Sequence, residues 1–503
     1  MKKSGILLAV ILFLAIVWGG TTYVVGNKAE IYYHSLLNDA SQFGFVTFTN
    51  ISYERGFLQS RAQTRMQINF PDVFIPEEGE ADAGSAAELT ERTVQLVFEH
   101  TLHHGPLPYS SGPAGRYGFG PAIALVETTL TEFSPDQDVL ENLLEEIPAL
   151  QNSIEISRIR LDGTMDSLLE IPSFEYTLED GKISSGGLKA ETVYSLATGA
   201  MSGSYEMQSL AFVMPEGGSM ACQGFSGEFD LERVLPMLYI GLSKAVVGDM
   251  EMNLPSPESG ELETVKLEQM ELTSNSRFDG KLVHFEQNTT FGGLSIDGKQ
   301  YGPLLIDVEM KNLDAEALSE YQQSVIDIYK DSSRLDPDAI AGTLLPMYVD
   351  LFGKLVAGDP ELNIRNFSLV TPEGNADGNF VIKLVGIENV NFEDPMMMLQ
   401  YIQNIDATAN LLFDETLVRA IALAQSRSSL NSQVAAARES GQELAFSEEQ
   451  LEEMVLQQYD QQLEMLLVEN YIVREGEKLK SSMTFKQGKL TVNGRALPFF
   501  GVN

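Results

Sequence analysis

The feature that most constrains the fold is an apolar run near the N-terminus, Gly5–Val25, with no charge between Lys3 and Lys28. A helix over these residues would be roughly 31 Å long at about 1.5 Å per residue, which matches the hydrocarbon core of a bilayer. Lys2 and Lys3 precede the run, and the positive-inside rule then keeps the N-terminus in the cytoplasm. The run predicts a transmembrane anchor that follows a cytoplasmic tip at 1–4.

A cleaved signal peptide is the alternative interpretation of this run. The run exceeds the ~7–15 apolar residues usual in a signal peptide, and no A-x-A cleavage site closes it. Trp18 and Tyr23 lie toward its far end, where interfacial aromatic residues are expected. The sequence therefore favours an uncleaved single-pass anchor, followed by a stalk helix at 26–42.

The composition excludes several classes of function. The formal charge is −39, from 72 acidic and 33 basic residues, so the surface should repel nucleic acid. Cys222 is the only cysteine, which excludes an intrachain disulfide and a cysteine-based zinc site. No cofactor motif is complete in the sequence. We expect Cys222 to be buried and inert, with pairing between chains as the alternative.

Most of the chain after the stalk carries strand signals. A β-rich region is predicted at 43–171, interrupted by an acidic insert at 76–91. Leu304–Leu313 alternates apolar and charged residues most clearly. Asp-Gly pairs, which favour tight hairpin turns, recur at 162–163, 180–181, 279–280, 297–298 and 377–378.

An internal repeat suggests related structural units. Leu235–Asn253 and Leu345–Asn363 are identical at nine of nineteen positions without a gap. In both copies the apolar residues have helical spacing before a Gly-Asp stop, so both predict a helix followed by a strand. We assign unit A to 172–283 and unit B to 284–394.

The predicted fold class is α+β. It consists of an N-terminal transmembrane helix and antiparallel sheets with helices packed on one side, in at least two repeated units. The remaining region, 395–503, is predicted to be helical and to end in a β-hairpin that turns at Gln487-Gly488. Within this region Ser447–Glu469 has a clear helical stripe.

Three of the five histidines, His100, His103 and His104, form the sequence HTLHH. On a helix, His100 and His104 would share a face and could bind zinc together with a carboxylate. The HExxH pattern is absent, and the following Gly105-Pro106 favours a strand or loop that would separate these side chains. We therefore predict no metal site and keep the three histidines as weak candidates.

The best candidate surface for an apolar ligand or partner combines a methionine run with the second repeat helix. Unbranched thioether side chains repack around varied ligands, although burial in a core is the alternative for such a run. The candidate residues are Met396, Met397, Met398, Tyr348 and Phe352.

Four segments in this order resemble the YdgA family of bacterial envelope proteins, a family with a domain-of-unknown-function label. They are ISYERGFLQSRAQT at 51–64, HHGPLP at 103–108, YGPLLIDVEMKNLDAEAL at 301–318 and GKLTVNGRALP at 488–498. The resemblance implies a protein anchored in the bacterial inner membrane with its bulk in the periplasm, and it brings no catalytic residues. KNLDAEAL at 311–318 also faintly resembles AsmA-type proteins.

These observations predict a non-enzymatic protein that supports assembly or maintenance of the cell envelope. Since no catalytic motif is present, we expect it to act by binding a lipid or an envelope-protein partner rather than by catalysis. A periplasmic hydrolase with an unrecognised site is one alternative. The other is a structural protein that oligomerises through its sheet edges. The oligomeric state is not predicted.

Overall fold

The computed structural model describes residues 2–41, 46–69, 93–134, 147–178, 181–214, 217–255, 262–296, 298–331, 337–387, 401–424 and 448–497, with the side chains of the first helix from Trp18 onward. The acidic insert at 76–91 and Met396, Met397 and Met398 lie outside the described residues. The chain divides into two compact units, Met1–Val247 with Ala315–Leu351 (unit 1) and Gly248–Asp314 with Phe352–Asn503 (unit 2). The boundaries predicted from the repeat stay predictions.

The helices with full bounds are α1 (Lys2–Ala40), α2 (Pro148–Gln151), α3 (Ala315–Asp331), α4 (Pro337–Val356) and α5 (Glu448–Val468), with a 3₁₀ helix at Pro113–Tyr117. Residues 401–403 and 415–424 are also helical. Strands β1 to β14 are Val46–Glu54, Gln59–Asn69, Thr93–His104, Ala124–Ser134, Ile154–Ile159, Thr164–Ile171, Phe174–Leu178, Gly181–Ser185, Leu188–Ser195, Met201–Met207, Leu210–Val213, Ser219–Cys222, Phe225–Leu235 and Leu238–Val247. Strands β15 to β28 are Met250–Pro255, Leu262–Leu267, Met270–Phe278, Leu282–Phe291, Leu294–Ile296, Lys299–Tyr301, Leu304–Asp314, Glu361–Thr371, Gly374–Leu384, Ile405–Asp414, Val473–Glu475, Lys478–Lys486, Lys489–Val492 and Arg495–Leu497.

The predicted α+β class is wrong, because the chain is mostly β. Strands cover about half of the described residues, and helices cover fewer. One consequence is visible in the C-terminal region predicted to be helical, where β24 pairs with β23 and β26. The helix predicted at 447–469 is present as α5, and Gln487-Gly488 forms the turn between β26 and β27.

Unit 1 contains a large antiparallel sheet in which successive strands are neighbours. Its order is β1-β2-β3-β4-β5-β6-β9-β10-β13-β14. The strands missing from this series, β7, β8, β11 and β12, pair with one another in a small second sheet. Asp162-Gly163 makes the β5–β6 turn as predicted: the Asp162 carboxylate accepts the Thr164 N–H and Gly163 has a φ of 84°.

Helix α1 packs on one face of this sheet. Ala29 of the helix is fully buried against Ile123, Ala124 and Ile159. One turn further, Tyr33 packs on Ala62 and Leu102. Fully burying one large aliphatic side chain contributes about 1.5–3 kcal/mol, so this interface fixes the helix on the sheet.

The predicted membrane anchor at Gly5–Val25 is corrected by the structure. Among the residues that the structure describes, no helix is long and apolar enough to cross a membrane. The end of the predicted span instead contacts the sheet: Thr22 is fully buried and Val25 packs beside Ala29. The predicted single-pass localisation in the inner membrane is also wrong, because no described helix fits a membrane span.

Unit 2 has its own antiparallel series. The order of neighbouring strands in this series is β17-β18-β21-β22-β23-β24-β26-β27-β28. Strand β25 also pairs with β26. Strands β15, β16, β19 and β20 form a small sheet. The strand predicted at 304–313 is β21, and Asp279-Gly280 forms the β17–β18 turn. Asp377-Gly378 lies inside β23 rather than in a turn.

The two copies of the repeat fold differently, which overturns the helix predicted for the first. Residues 345–356 belong to α4, whereas 238–247 form strand β14. In the first copy Pro236 and Met237 make the β13–β14 turn, with Met237 at a φ of 59°. The Ser319 hydroxyl of α3 donates to the Pro236 carbonyl. Each Gly-Asp pair is followed by a strand, β15 and β22.

Candidate functional site

The predicted histidines lie on β3 and not on a helix. Side chains alternate along a strand, so His100 and His104 face α1 while His103 faces the other side of the sheet. His100 is hydrogen-bonded to the Thr64 hydroxyl at 2.8 Å and to the Thr128 hydroxyl at 3.0 Å. Both ring nitrogens are thus engaged by hydroxyl groups.

The His100 network continues into α1. The Tyr33 hydroxyl is 2.8 Å from the Thr64 hydroxyl, and its ring meets the His100 ring edge-on at 5.9 Å. Burial lowers the pKa of His100 to about 4 and raises the pKa of Tyr33. A largely buried neutral imidazole with two hydroxyl partners stabilises the contact between helix and sheet.

His104 forms a second contact with the helix. Its Nε2 is 2.9 Å from the Ser60 hydroxyl, and its ring lies directly against Gly26, where an added Cβ would approach it to 2.8 Å. A Ser-His pair can be nucleophilic, but Ser60 and His104 are both nearly inaccessible and the His104 Nδ1 has no hydrogen-bond partner. The arrangement therefore suits helix packing and not hydrolysis.

The structure does not bring the three histidines together as metal ligands. His103 lies 3.8 Å from Glu127 on the face opposite to His100 and His104. Within the described ranges, no group of three or more His, Cys, Asp or Glu side chains could hold a metal ion. Cys222 is buried and has a free thiol that donates to the Gly224 carbonyl.

The predicted apolar surface is only partly described. Tyr348 and Phe352 lie on α4 with 52% and 44% of their surface exposed, and the Tyr348 ring contacts Tyr321 at 5.6 Å. The three methionines lie outside the described residues. The depressions that adjoin Ser204 and the one beside Arg474 are lined by other side chains.

A different feature stands out on the face of the unit 1 sheet opposite to α1. Two adjoining depressions of about 630 and 440 Å³ share Glu191, Ser204 and Glu228. Strand register explains their shape, because residues paired across neighbouring strands project from the same face. We call the combined depression the trough. Most of its lining residues form three cross-strand rows, and Tyr117 and Arg160 also line it.

The rows cross successive strands in order. The first row, from β5 to β14, is Arg158, Asp166, Val193, Ser202, Asp230 and Leu242. The second row, from β6 to β14, is Leu168, Glu191, Ser204, Glu228 and Lys244. The third row, from β9 to β14, is Lys189, Glu206, Ser226 and Val246.

The depression follows from side-chain size along β10. Ser202 and Ser204 are small, while their neighbours Val193, Glu191 and Glu228 are longer. Gly203 lies between the two serines and has no side chain on the opposite face of the sheet. The Phe229 ring occupies the space there, since a Cβ added at Gly203 would lie 3.0 Å from the Phe229 ring. The trough therefore has a closely packed floor and small side chains at its centre.

The trough carries nearly balanced charge in a strongly acidic chain. Its lining contains four basic and five acidic residues, against 33 and 72 in the whole chain. Lys189 pairs with Glu191 at 2.7 Å, and Lys244 stands opposite Glu228 in register. Val193 and Leu242 add exposed apolar surface. The lining therefore combines both charges, hydroxyl groups and aliphatic side chains.

Two arginines meet one carboxylate at the β5 end of the trough. Asp166 accepts hydrogen bonds from Arg158 Nε and Nη2 at 2.9 and 2.7 Å, and from Arg160 Nε and Nη2 at 2.8 and 2.6 Å. The Tyr117 ring lies 5.1 Å from the Arg158 guanidinium. Burial and then the Asp166 charge raise the pKa of Tyr117 to about 12, so its hydroxyl stays neutral and donates to the Asp166 carbonyl.

The sequence carries a local signal for the solvated sheet face on which the trough lies. Strands β9, β10 and β13 each contain a stretch with polar residues at every second position, as in KAE, SGSYE and SGEFD. Such alternation predicts a solvated sheet face. The depression itself depends on which strands are neighbours and in what register, and that information is not local in the sequence.

The chain is similar in sequence to bacterial proteins of unassigned function. It is 20% identical to "Protein YdgA" of Escherichia coli, with 99% of this chain and 95% of that protein covered. It is 24% identical to an uncharacterized protein of Haemophilus influenzae, over 66% of this chain and 88% of that protein. No solved structure matches significantly. The comparisons do not show the likeness to AsmA-type proteins, and they indicate no enzymatic family.

The family assignment covers almost the entire chain. The family described as "Bacterial protein of unknown function (DUF945)" matches residues 1–499, and the resemblance predicted from the four sequence segments is confirmed. The chain therefore belongs to the DUF945 family, to which no function is assigned.

Proposed function

We propose that the protein is a non-enzymatic binding protein and that the trough of unit 1 receives an extended segment of a partner polypeptide. The observation that carries the proposal is the first cross-strand row, in which arginine, aspartate, serine and aliphatic side chains line one depression. Polypeptide segments carry charged, hydroxyl and apolar groups that complement all of these. The envelope role predicted from the sequence rested in part on the membrane anchor, so the proposal concerns binding alone.

The lining favours a polypeptide over the other ligand classes. Nucleic acid would bring phosphates to a lining with five carboxylates in a chain of net charge −39. A hydrocarbon chain along the first row would cover Asp230 and Ser202 without offering hydrogen bonds, and burying a charge without a partner is unfavourable. A peptide can pair with these groups.

The mode of contact also follows from the sheet. Strands β6, β9, β10 and β13 are paired on both sides, so their backbone groups are already hydrogen-bonded. A peptide in the trough would therefore contact side chains and would not add a strand to the sheet. The first row crosses six strands about 4.8 Å apart, roughly 24 Å in total, which is the length of about seven extended residues.

Filling the trough tests the proposal. Ser204 is exposed at the centre of the second row, and Ser204→Trp would place an indole where the peptide lies. We expect the purified full chain to retain short peptides from a randomised synthetic pool, and Ser204→Trp to reduce that retention at least tenfold, as counted by mass spectrometry.

The matched control is Thr177→Trp, an exposed strand position in the small sheet of unit 1. It should leave retention unchanged, and both variants should unfold within about 0.5 kcal/mol of the wild type. Equal retention by Ser204→Trp and the wild type would contradict the proposal. Preferential retention of fatty acids, supplied as a separate mixture, would assign the trough to lipid and also contradict it.

A further inference from the structure

We propose that Arg158 and Arg160 bind the C-terminal carboxylate of the partner segment. This inference rests on the proposed function and specifies the end of the ligand that lies at β5. It follows from the geometry of the two guanidinium groups on Asp166, from the wall that Tyr117 forms beside them, and from the balance of charge at that point.

The two arginines retain donors for a second acceptor. A guanidinium group has five N–H donors. Asp166 engages the Nε and Nη2 atoms of both arginines, so the Nη1 donors of each lie outside that contact. The side chains of Arg158 and Arg160 are 31% and 46% exposed. Asp166 thus fixes the orientation of two guanidinium groups whose remaining donors are accessible to a ligand.

The charge of this cluster matches one carboxylate. Two guanidinium groups and one carboxylate leave one unit of positive charge at the cluster, at the edge of an otherwise acidic lining. Planar guanidinium groups bind carboxylates in bidentate geometry, and these charge-assisted hydrogen bonds are among the stronger ones in proteins. A doubly charged phosphate would exceed the available positive charge and would meet the carboxylates further along the trough.

The position of the cluster indicates a chain end. Tyr117 lines the trough beside Arg158, and its hydroxyl bonds to the Ile156 and Asp166 carbonyls below. Arg116 pairs with Glu170, which ties the 3₁₀ helix to β6. A peptide that runs along the first row toward β5 therefore meets a wall. A terminal carboxylate can lie against Tyr117, whereas a peptide that continues past the cluster would clash with Tyr117 unless it bent away from the sheet.

The test compares peptides that differ only at the C-terminus. A randomised pool of peptides about seven residues long is prepared as free acids and as C-terminal amides, and both are incubated with the full chain. We expect the acids to be retained about tenfold more than the amides. In Arg160→Gln this acid-to-amide ratio should fall toward one, and Arg160→Lys should recover part of the ratio because the charge is kept.

Arg474→Gln is the matched control. Arg474 is similarly exposed and pairs with Glu415 outside the trough, so its substitution should leave the acid-to-amide ratio as in the wild type. Equal retention of acids and amides by the wild type would overturn the carboxylate assignment while leaving the proposed function intact. Retention of amides only when they contain Asp or Glu would place a side-chain carboxylate there and overturn the chain-end assignment. Retention of neither form would refute the proposed function itself.

Discussion

Gly241→Ala is expected to lower the free energy of unfolding by about 3 kcal/mol. Gly241 lies inside β14 at a φ of 139°, a backbone conformation that residues with a Cβ rarely adopt. An added Cβ would lie 2.0 Å from the Asp230 carbonyl oxygen of the paired strand, so the β13–β14 pairing would have to shift. Chemical denaturation of the wild type and the variant measures the difference.

Gly342→Ala is the matched control and should have the opposite sign. Gly342 is an exposed residue inside α4, and nothing lies within 4 Å of an added Cβ there. Alanine is favoured over glycine in a helix by about 0.5–1 kcal/mol, so this variant should be slightly more stable than the wild type. Equal effects of the two substitutions would contradict the strand assigned to the first repeat copy.

The second large effect concerns the pH dependence of stability through His100. Its pKa is about 4 in the folded protein because of burial, compared with the ordinary value of 6.5. Between these pH values the unfolded chain binds a proton that the folded protein does not, so the free energy of unfolding falls as the pH decreases through this window. A shift of this size corresponds to a loss of about 3 kcal/mol between pH 6.5 and pH 4.

His100→Gln isolates this contribution from that of other titrating groups. Glutamine can hydrogen-bond to Thr64 and Thr128 without titrating, while His104 and the carboxylates contribute to both proteins alike. We expect the wild type to be the more stable at pH 7 and its advantage to shrink by about 3 kcal/mol at pH 4. Parallel pH profiles for the two proteins would show that His100 is not held neutral by the helix–sheet contact.

The elements predicted correctly are those specified by adjacent residues. Asp162-Gly163 and Asp279-Gly280 form hairpin turns because Asp-Gly readily adopts the required dihedral angles. The alternation in 304–313 and the helical stripe of 447–469 each lead to the predicted element, β21 and α5. In these segments local preference and tertiary contacts agree.

The first repeat copy shows why the helix prediction failed there. Leu238, Leu242 and Val246 are spaced by four residues, which fits one helical face but equally fits one face of a strand. The pairing of 238–247 with Phe225–Leu235 favours the strand over the helix. A local sequence pattern does not reveal such a tertiary contact. The second copy has no such partner for 345–356 among the described strands and forms a helix.

The candidate site could not be predicted for a related reason. The first row of the trough takes one residue from each of six strands between positions 158 and 242, and its order depends on the excursions of β7–β8 and β11–β12 into another sheet. The histidines were conspicuous as residue types, yet the structure uses His100 and His104 to fix α1 on the sheet. The histidines therefore contribute to packing, whereas common residue types such as serine, glutamate and valine line the trough.

The most direct measurement is a crystal structure of the full chain with the best-retained peptide of the free-acid pool. The account predicts that the peptide crosses Ser202 and Ser204 and that its terminal carboxylate lies within hydrogen-bond distance of the Arg158 and Arg160 guanidinium groups. A peptide seated on the exposed face of α4 at Tyr348, or paired with the edge of a sheet, would contradict it.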